Sequence, residues 1–165
     1  MKVILATDLK NGISKDGKIP WNKPEDMKYF KNMTTKTVFP NKINSVIMGR
    51  KTWETLPNKI LPKRINIVIT RNKLKYFNFG SNLVYFVESL DEALKLSKEN
   101  EKIENNWIIG GAEIYNEAFK TNKVTDIFLT IINEDYNCDK HVKIPNMKEE
   151  SRKIINDLTF IHFKN

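Results

Sequence analysis

The chain has 165 residues, 40% of them hydrophobic and 29% charged, the balance of a soluble globular domain long enough to bury a core without disulfides or metals. A single cysteine, Cys138, excludes a disulfide framework or a thiolate metal site within one chain, and only two histidines, His141 and His162, argue against metal catalysis. The net charge of +8 favours an anionic ligand, nucleotides included, but the lysines are spread along the chain rather than clustered with aromatics, so no specific nucleic-acid partner is expected.

The opening apolar run is too short for a signal peptide, and no stretch approaches the ~20 apolar residues that span a bilayer, so a cytoplasmic protein is expected. Residues 3–7 read as a buried first strand. Lys10-Asn11-Gly12 and Lys15-Asp16-Gly17 are turn signals, which makes 8–23 a long loop with two tight turns. Loops of that length in a compact domain often serve as lids. Pro20 disfavours a helical residue before it and Pro24 suits a first turn, so a helix is expected over about 24–34. Glu25 and Asp26 put negative charge at its N-terminus, and Met27, Phe30 and Met33 recur at helical spacing. Asp26 lies four residues before Phe30, at the edge of that apolar stripe and just after Trp21. A flat heterocycle with polar edges would suit such a wall. An acid that merely completes the helix start is the commoner case.

Residues 45–48 form a second buried strand, broken by Gly49, and 50–56 read as a helix. After a Pro-bounded loop over 57–63 come strands at 65–70 and 83–87. Ser89 with Glu92 makes a capping box, opening a helix with Leu90, Ala93, Leu94 and Leu96 on one face. A fifth strand over 107–109 ends at Gly110-Gly111, and a helix follows over 112–120. Residues 124–132 form a longer strand. Residues 154–155 and 159–163 form a terminal hairpin around Asn156-Asp157. Strands alternating with about four helices predict one α/β domain over 1–165, with a central, mostly parallel mixed sheet and an antiparallel C-terminal end.

Two strand-to-helix junctions share a design, Met48-Gly49-Arg50-Lys51-Thr52 and Ile109-Gly110-Gly111-Ala112. Glycine admits close backbone approach, and a helix N-terminus offers free N–H groups and a positive dipole end. At the carboxyl edge of one parallel sheet, the pair could hold the two phosphates of a dinucleotide. Neither carries the full Rossmann fingerprint or a P-loop. Thr70-Arg71, just past the third strand, could bind an extra ribose phosphate and favour NADP, or could be a solvated strand end. Arg64 is one of four arginines in a lysine-rich chain, which hints at bidentate carboxylate or phosphate binding; a surface ion pair is the alternative.

Together these pieces resemble dihydrofolate reductase across nearly the whole chain. The resemblance rests on Asn11-Gly12-Ile13, Ile19-Pro20-Trp21, Glu25-Asp26-Met27-Lys28-Tyr29-Phe30-Lys31, Val46-Ile47-Met48-Gly49-Arg50-Lys51-Thr52-Trp53, Leu61-Pro62-Lys63-Arg64-Ile65-Asn66, Trp107-Ile108-Ile109-Gly110-Gly111-Ala112-Glu113-Ile114-Tyr115 and Leu129-Thr130. It implies NADPH-dependent reduction of 7,8-dihydrofolate to tetrahydrofolate in one-carbon metabolism and thymidylate synthesis. It also implies a monomer open to antifolates such as methotrexate. Asp26 would hold the pteridine through its 2-amino group and N3 and support protonation at N5, with Trp21 and Thr130 assisting. Ile4, Ala6 and Ile109 would supply carbonyls and surface. Met27, Phe30 and Leu56 would sandwich the rings, and Lys31 and Arg64 would meet the glutamate tail. Tyr115 would sit near the nicotinamide. NADPH would contact Ala6, the lid residues Ile13, Ser14, Gly17, Lys18 and Ile19, then Gly49, Arg50, Lys51, Thr52, Thr70 and Arg71. Its remaining contacts would be Ile109, Gly110, Gly111, Ala112, Glu113, Ile114 and Tyr115. A cis peptide is expected between Gly110 and Gly111.

Some positions depart from the family pattern. Ser14 stands where Gly is common, and Lys63 replaces the Gly before Arg64. Glu113 puts a carboxylate at a phosphate-binding helix start, unfavourable unless it points away. Asp139-Lys140 keeps half of the Asp-Thr pair that steadies the lid, and the C-terminal hairpin looks shortened. Two rival readings are a pyrimidine reductase of riboflavin synthesis, disfavoured by Asp26 and Arg64, and a non-catalytic basic pterin-, nucleotide- or RNA-binding module.

Overall fold

The structure, a computed structural model, describes residues 1–77 and 79–165. Ten strands and four α-helices follow one another along it. They are β1 (Lys2–Thr7), β2 (Gly12–Ser14), α1 (Pro24–Thr35), β3 (Ile43–Gly49), α2 (Arg50–Glu54), β4 (Arg64–Ile69) and β5 (Val84–Val87). Then come α3 (Leu90–Glu99), β6 (Ile103–Gly110), α4 (Ala112–Phe119), β7 (Asp126–Ile132), β8 (Lys140–His141), β9 (Lys148–Ile155) and β10 (Leu158–Lys164). Eight strands make one sheet in the order β5-β4-β3-β6-β1-β7-β10-β9. The first six run parallel, and β10 and β9 close the far edge antiparallel, as the missing helix between them predicts.

The central strands are apolar on both faces because both are covered. Val46, Ile47 and Met48 of β3 have no exposed surface. Val3, Leu5, Ile47, Ile67 and Ile108 pack on one face with Leu90, Ala93, Ile114 and Ala118 of α3 and α4. Ile4, Val46, Met48, Trp107 and Phe128 pack on the other with Trp53 of α2 and with Tyr29, Phe30 and Met33 of α1. Charged β9 forms an exposed edge, which discourages pairing with another sheet.

Ser89 caps α3 by accepting from the Glu92 N–H at 3.0 Å, while the Glu92 carboxylate turns back to the Glu88 N–H at 2.8 Å, one residue short of a full capping box. The 8–23 segment is not wholly loop. β2 lies within it and pairs with β8, a pairing across more than a hundred residues that carries no local periodicity. The terminal hairpin reaches back to Lys148, well before the apolar 154–155 pair, because β9 is exposed and shows no hydrophobic alternation. β6 likewise starts at Ile103 rather than 107, β7 starts at Asp126, and α2 stops at Glu54.

Candidate active site

Parallel strands bring their carboxyl ends to one edge, so the residues after β1, β3, β4 and β6 converge there. Gly49 and Gly110-Gly111 meet across that edge. A Cβ on Gly49 would lie 3.3 Å from the Ile114 side chain, one on Gly111 3.4 Å from Thr52 Oγ1, and one on Gly110 3.3 Å from the Tyr115 ring. Gly110 has φ +127°, which L side chains rarely adopt. The peptide joining Gly110 to Gly111 is cis, as expected. The first turns of α2 and α4 therefore lie close together as one backbone cradle in which a side chain at Gly49 or Gly110 would crowd its neighbours, and Arg50, Lys51 and Thr52 stand beside it.

Beyond the cradle, Thr70 is buried and Arg71 is exposed. Arg71 faces Glu113 at 4.0 Å, so the Glu113 carboxylate turns outward from α4. Tyr115 is buried, and its hydroxyl donates to the Ile4 carbonyl at 2.9 Å.

On the α1 side, Asp26 lies half-buried against β7. Burial pushes its carboxyl above the ordinary aspartate range, and the nearby Thr130 hydroxyl partly offsets this. That hydroxyl falls short of a formed hydrogen bond: Thr130 Oγ1 is buried with no partner at hydrogen-bond geometry. Burial first, and the Asp26 charge second, also push the Tyr29 and Tyr115 phenols up. The lone carboxyl's field thus reaches both rings.

Arg64 sits at the other end of α1. It is 2% exposed, its Nε donates to the Pro62 carbonyl and its Nη1 to Thr34 Oγ1, both at 3.0 Å. A guanidinium has five N–H donors, so three remain. No carboxylate pairs with it among the described residues, and burial pushes its pKa down. Thr34 stands eight residues after Asp26 on the same helix, roughly 12 Å at 1.5 Å per residue. The face along α1 thus has a lone acid at one end and a lone buried cation at the other. Phe30 and Leu56 are half-buried along it, while Met27 is 63% exposed and Lys31 is exposed. Met27 departs from the expected apolar stripe, since only Phe30 and Met33 of that stripe pack against the core.

The segment expected to act as a lid is stitched to the segment after β7. Asp8 is 1% exposed and accepts from the backbone N–H groups of Lys10, Gly12 and Tyr136 at 2.8–3.1 Å. Burial raises its pKa, but these bonds and the Cys138 thiol outweigh that and hold it below the usual range. The Asp16 N–H donates to the Asp139 carboxylate at 2.9 Å, and the Asp139 N–H to the Ser14 carbonyl at 3.0 Å. The half of the steadying pair that this chain keeps is therefore the half that bonds, while Lys140 pairs with Ser14 through its backbone. Trp21 packs against Tyr136 with ring centroids 5.4 Å apart. Ile13 is buried in the core, so it offers a ligand only backbone, whereas Gly17, Lys18 and Ile19 are exposed. Ala6 and Ile109 lie on neighbouring strands β1 and β6 facing α1. Asp8, Tyr136 and Thr34 were not singled out by sequence; the only local signal was Asp8 closing a strand before a turn.

Known proteins bear on this arrangement. The family model described as dihydrofolate reductase matches residues 1–161. A dihydrofolate reductase of Heliothis virescens is 35% identical over 95% of this chain and 85% of its own length. One of Candida albicans is 37% identical over 94% and 84% respectively. A bifunctional dihydrofolate reductase-thymidylate synthase of Daucus carota is 39% identical over 87% of this chain, which spans 28% of that longer protein.

Proposed function

Because the chain belongs to the dihydrofolate reductase family, we propose that it reduces 7,8-dihydrofolate with NADPH as the hydride donor and Asp26 as the group that manages the proton. The activity itself, dihydrofolate to tetrahydrofolate, is the family's, and the chain is an oxidoreductase of that kind. The names of substrate and product differ by hydrogen at positions 5 and 6, so one hydride and one proton are added. A reduced nicotinamide dinucleotide would supply the hydride, with its phosphates held by the glycine cradle and its nicotinamide near Tyr115.

The observation that carries this reading is the pairing along α1. A lone carboxyl with a raised pKa stands at one end, and a buried guanidinium with no carboxylate partner among the described residues bonds Thr34, about 12 Å further along the helix axis. A pterin with a 2-amino group and ring N3–H satisfies the first, and a glutamate α-carboxylate satisfies the second bidentately. Thr130, whose hydroxyl lacks a partner, supports Asp26 and the 2-amino group. Ile4 and Ile109 contribute carbonyls, Phe30, Met27 and Leu56 hold the flat rings, and Lys31 lies beside the tail. Burial keeps a proton on Asp26 at higher pH than an exposed aspartate would hold it, which favours delivery towards N5. The lid over residues 13–21, with Trp21, excludes water while the hydride moves.

For the cofactor, the support is the cradle at Gly49, Gly110 and Gly111 together with Thr70-Arg71, placed as a 2′-phosphate site would require. A monomer acting in the cytoplasm completes the proposal. No helix among the described residues is long and apolar enough to cross a membrane. The test is direct: purified protein given dihydrofolate consumes NADPH, and methotrexate stops it. No NADPH loss above background defeats the reading.

A further inference from the structure

Three cations around the proposed cofactor edge already face carboxylates. Arg50 meets Glu54 at 2.8 Å and Lys73 meets Glu92 at 3.5 Å. Arg71 meets Glu113 at 4.0 Å. The third pair differs from the others in where its acid stands. Glu113 is in the first turn of α4, two residues past the cis Gly110–Gly111 junction, on the helix whose free N–H groups line the cradle. Both side chains project into solvent, with exposures of 97% and 85%.

We propose that Glu113 is a specificity-determining residue, weakening this chain's preference for NADPH over NADH by engaging the guanidinium that a 2′-phosphate would take. The inference rests on the cofactor reading above. A ribose 2′-phosphate carries about −1.5 to −2 charges at neutral pH, like other phosphomonoesters. To bind Arg71 it must displace or share with the Glu113 carboxylate, which then stays a few ångströms from the incoming anion. Like charges at that separation repel, and solvent exposure with salt screening keeps the effect moderate. The helix dipole does not remove the conflict. It stabilises Glu113 at the α4 N-terminus and so favours keeping the acid there. NADH lacks the phosphate. Repulsion from the pyrophosphate is common to both cofactors and cancels in their ratio.

The experiment measures equilibrium binding of NADPH, NADH, 2′,5′-ADP and 5′-ADP to the intact protein and to Glu113→Gln, at low and high salt. Expected is a rise of about three- to tenfold in the NADPH-to-NADH affinity ratio at low salt, shrinking as salt screens it. The variant should tighten 2′,5′-ADP similarly and change 5′-ADP by less than about twofold. In an Arg71→Gln background the same Glu113→Gln change should raise the ratio by less, because only direct repulsion of the phosphate is left to relieve, whereas a merely structural effect on α4 would be the same in both backgrounds. A ratio unmoved by Glu113→Gln, or a gain of the same size without Arg71, overturns the inference alone. An unmodified protein that binds 2′,5′-ADP no more tightly than 5′-ADP overturns the NADPH reading and the inference with it.

Discussion

At the proposed folate end, Arg64 is 2% exposed and finds no carboxylate among the described residues, while at the proposed cofactor edge Arg50, Arg71 and Lys73 are accessible and each faces a glutamate. Asp26 repeats the Arg64 pattern with opposite sign, since burial raises its pKa and no cation among the described residues pairs with it. A buried charge without a partner destabilises the empty protein, and a ligand that supplies the partner gains the interaction in full. A paired surface charge costs the empty protein little but must exchange partners on binding. The first arrangement suits recognition of one tail and one head; the second suits a cofactor that binds and leaves every turnover.

The comparison breaks most sharply at Asp26. Asp26→Asn should cut kcat by about 10²- to 10⁴-fold, the span of general acid–base effects. The same change should raise the unfolding midpoint of the ligand-free protein at neutral pH. The sign follows from linkage: a carboxyl whose folded pKa lies above its unfolded value costs stability as pH rises through that window. The gain from Asn therefore vanishes at low pH, below both values. Thermal melts of both proteins from acid to neutral pH test this. Hydride transfer in single turnovers should fall as pH rises past the raised Asp26 pKa, and Asp26→Asn should lose that dependence.

Arg64→Leu should raise KM for dihydrofolate on the order of 10²-fold with a smaller change in kcat, the mark of binding lost equally from ground and transition states. Its melting temperature should change little, because relief from burying an unpaired cation offsets the two hydrogen bonds lost to Pro62 and Thr34. A large drop would mean that Arg64 is chiefly structural. Asp139→Ala removes the acceptor for the Asp16 N–H and should slow hydride transfer about tenfold by loosening the lid, with little change in dihydrofolate affinity. The smallest effect sharpens the contrast. Raising salt from about 0.05 M to about 0.5 M should weaken NADPH several-fold and the folate tail much less, since exposed charges are screened and buried ones are not. Equal salt dependence at both ends would erase the distinction.

Much of the fold was legible because apolar period and end signals are local. Pro24 with Glu25 and Asp26 marked α1, Ser89 with Glu92 marked α3, and Gly110-Gly111 marked the β6–α4 junction. β9 was mostly missed because its exposed Lys148-to-Lys153 run has no buried face to imprint alternation. β2 and β8 were missed because strands of three and two residues pair across a distance that no window covers. In the site, Asp26 was legible as an acid on an apolar edge. Its raised pKa was not, since both the burial that raises it and the Thr130 hydroxyl that partly offsets it come from tertiary packing.

By itself the sequence determined which residues face inward, where each helix begins and which short segments mark a family, all consequences of spacing along one chain. Tertiary structure alone decided that Thr34 bonds Arg64, that Thr130 lies by Asp26, that Asp8 gathers the Tyr136 backbone, and that Glu113 turns to Arg71. The reason is physical. Periodicity records only that a side chain is buried, whereas its partner is set by strand order and crossover, and pKa and affinity follow from the partner.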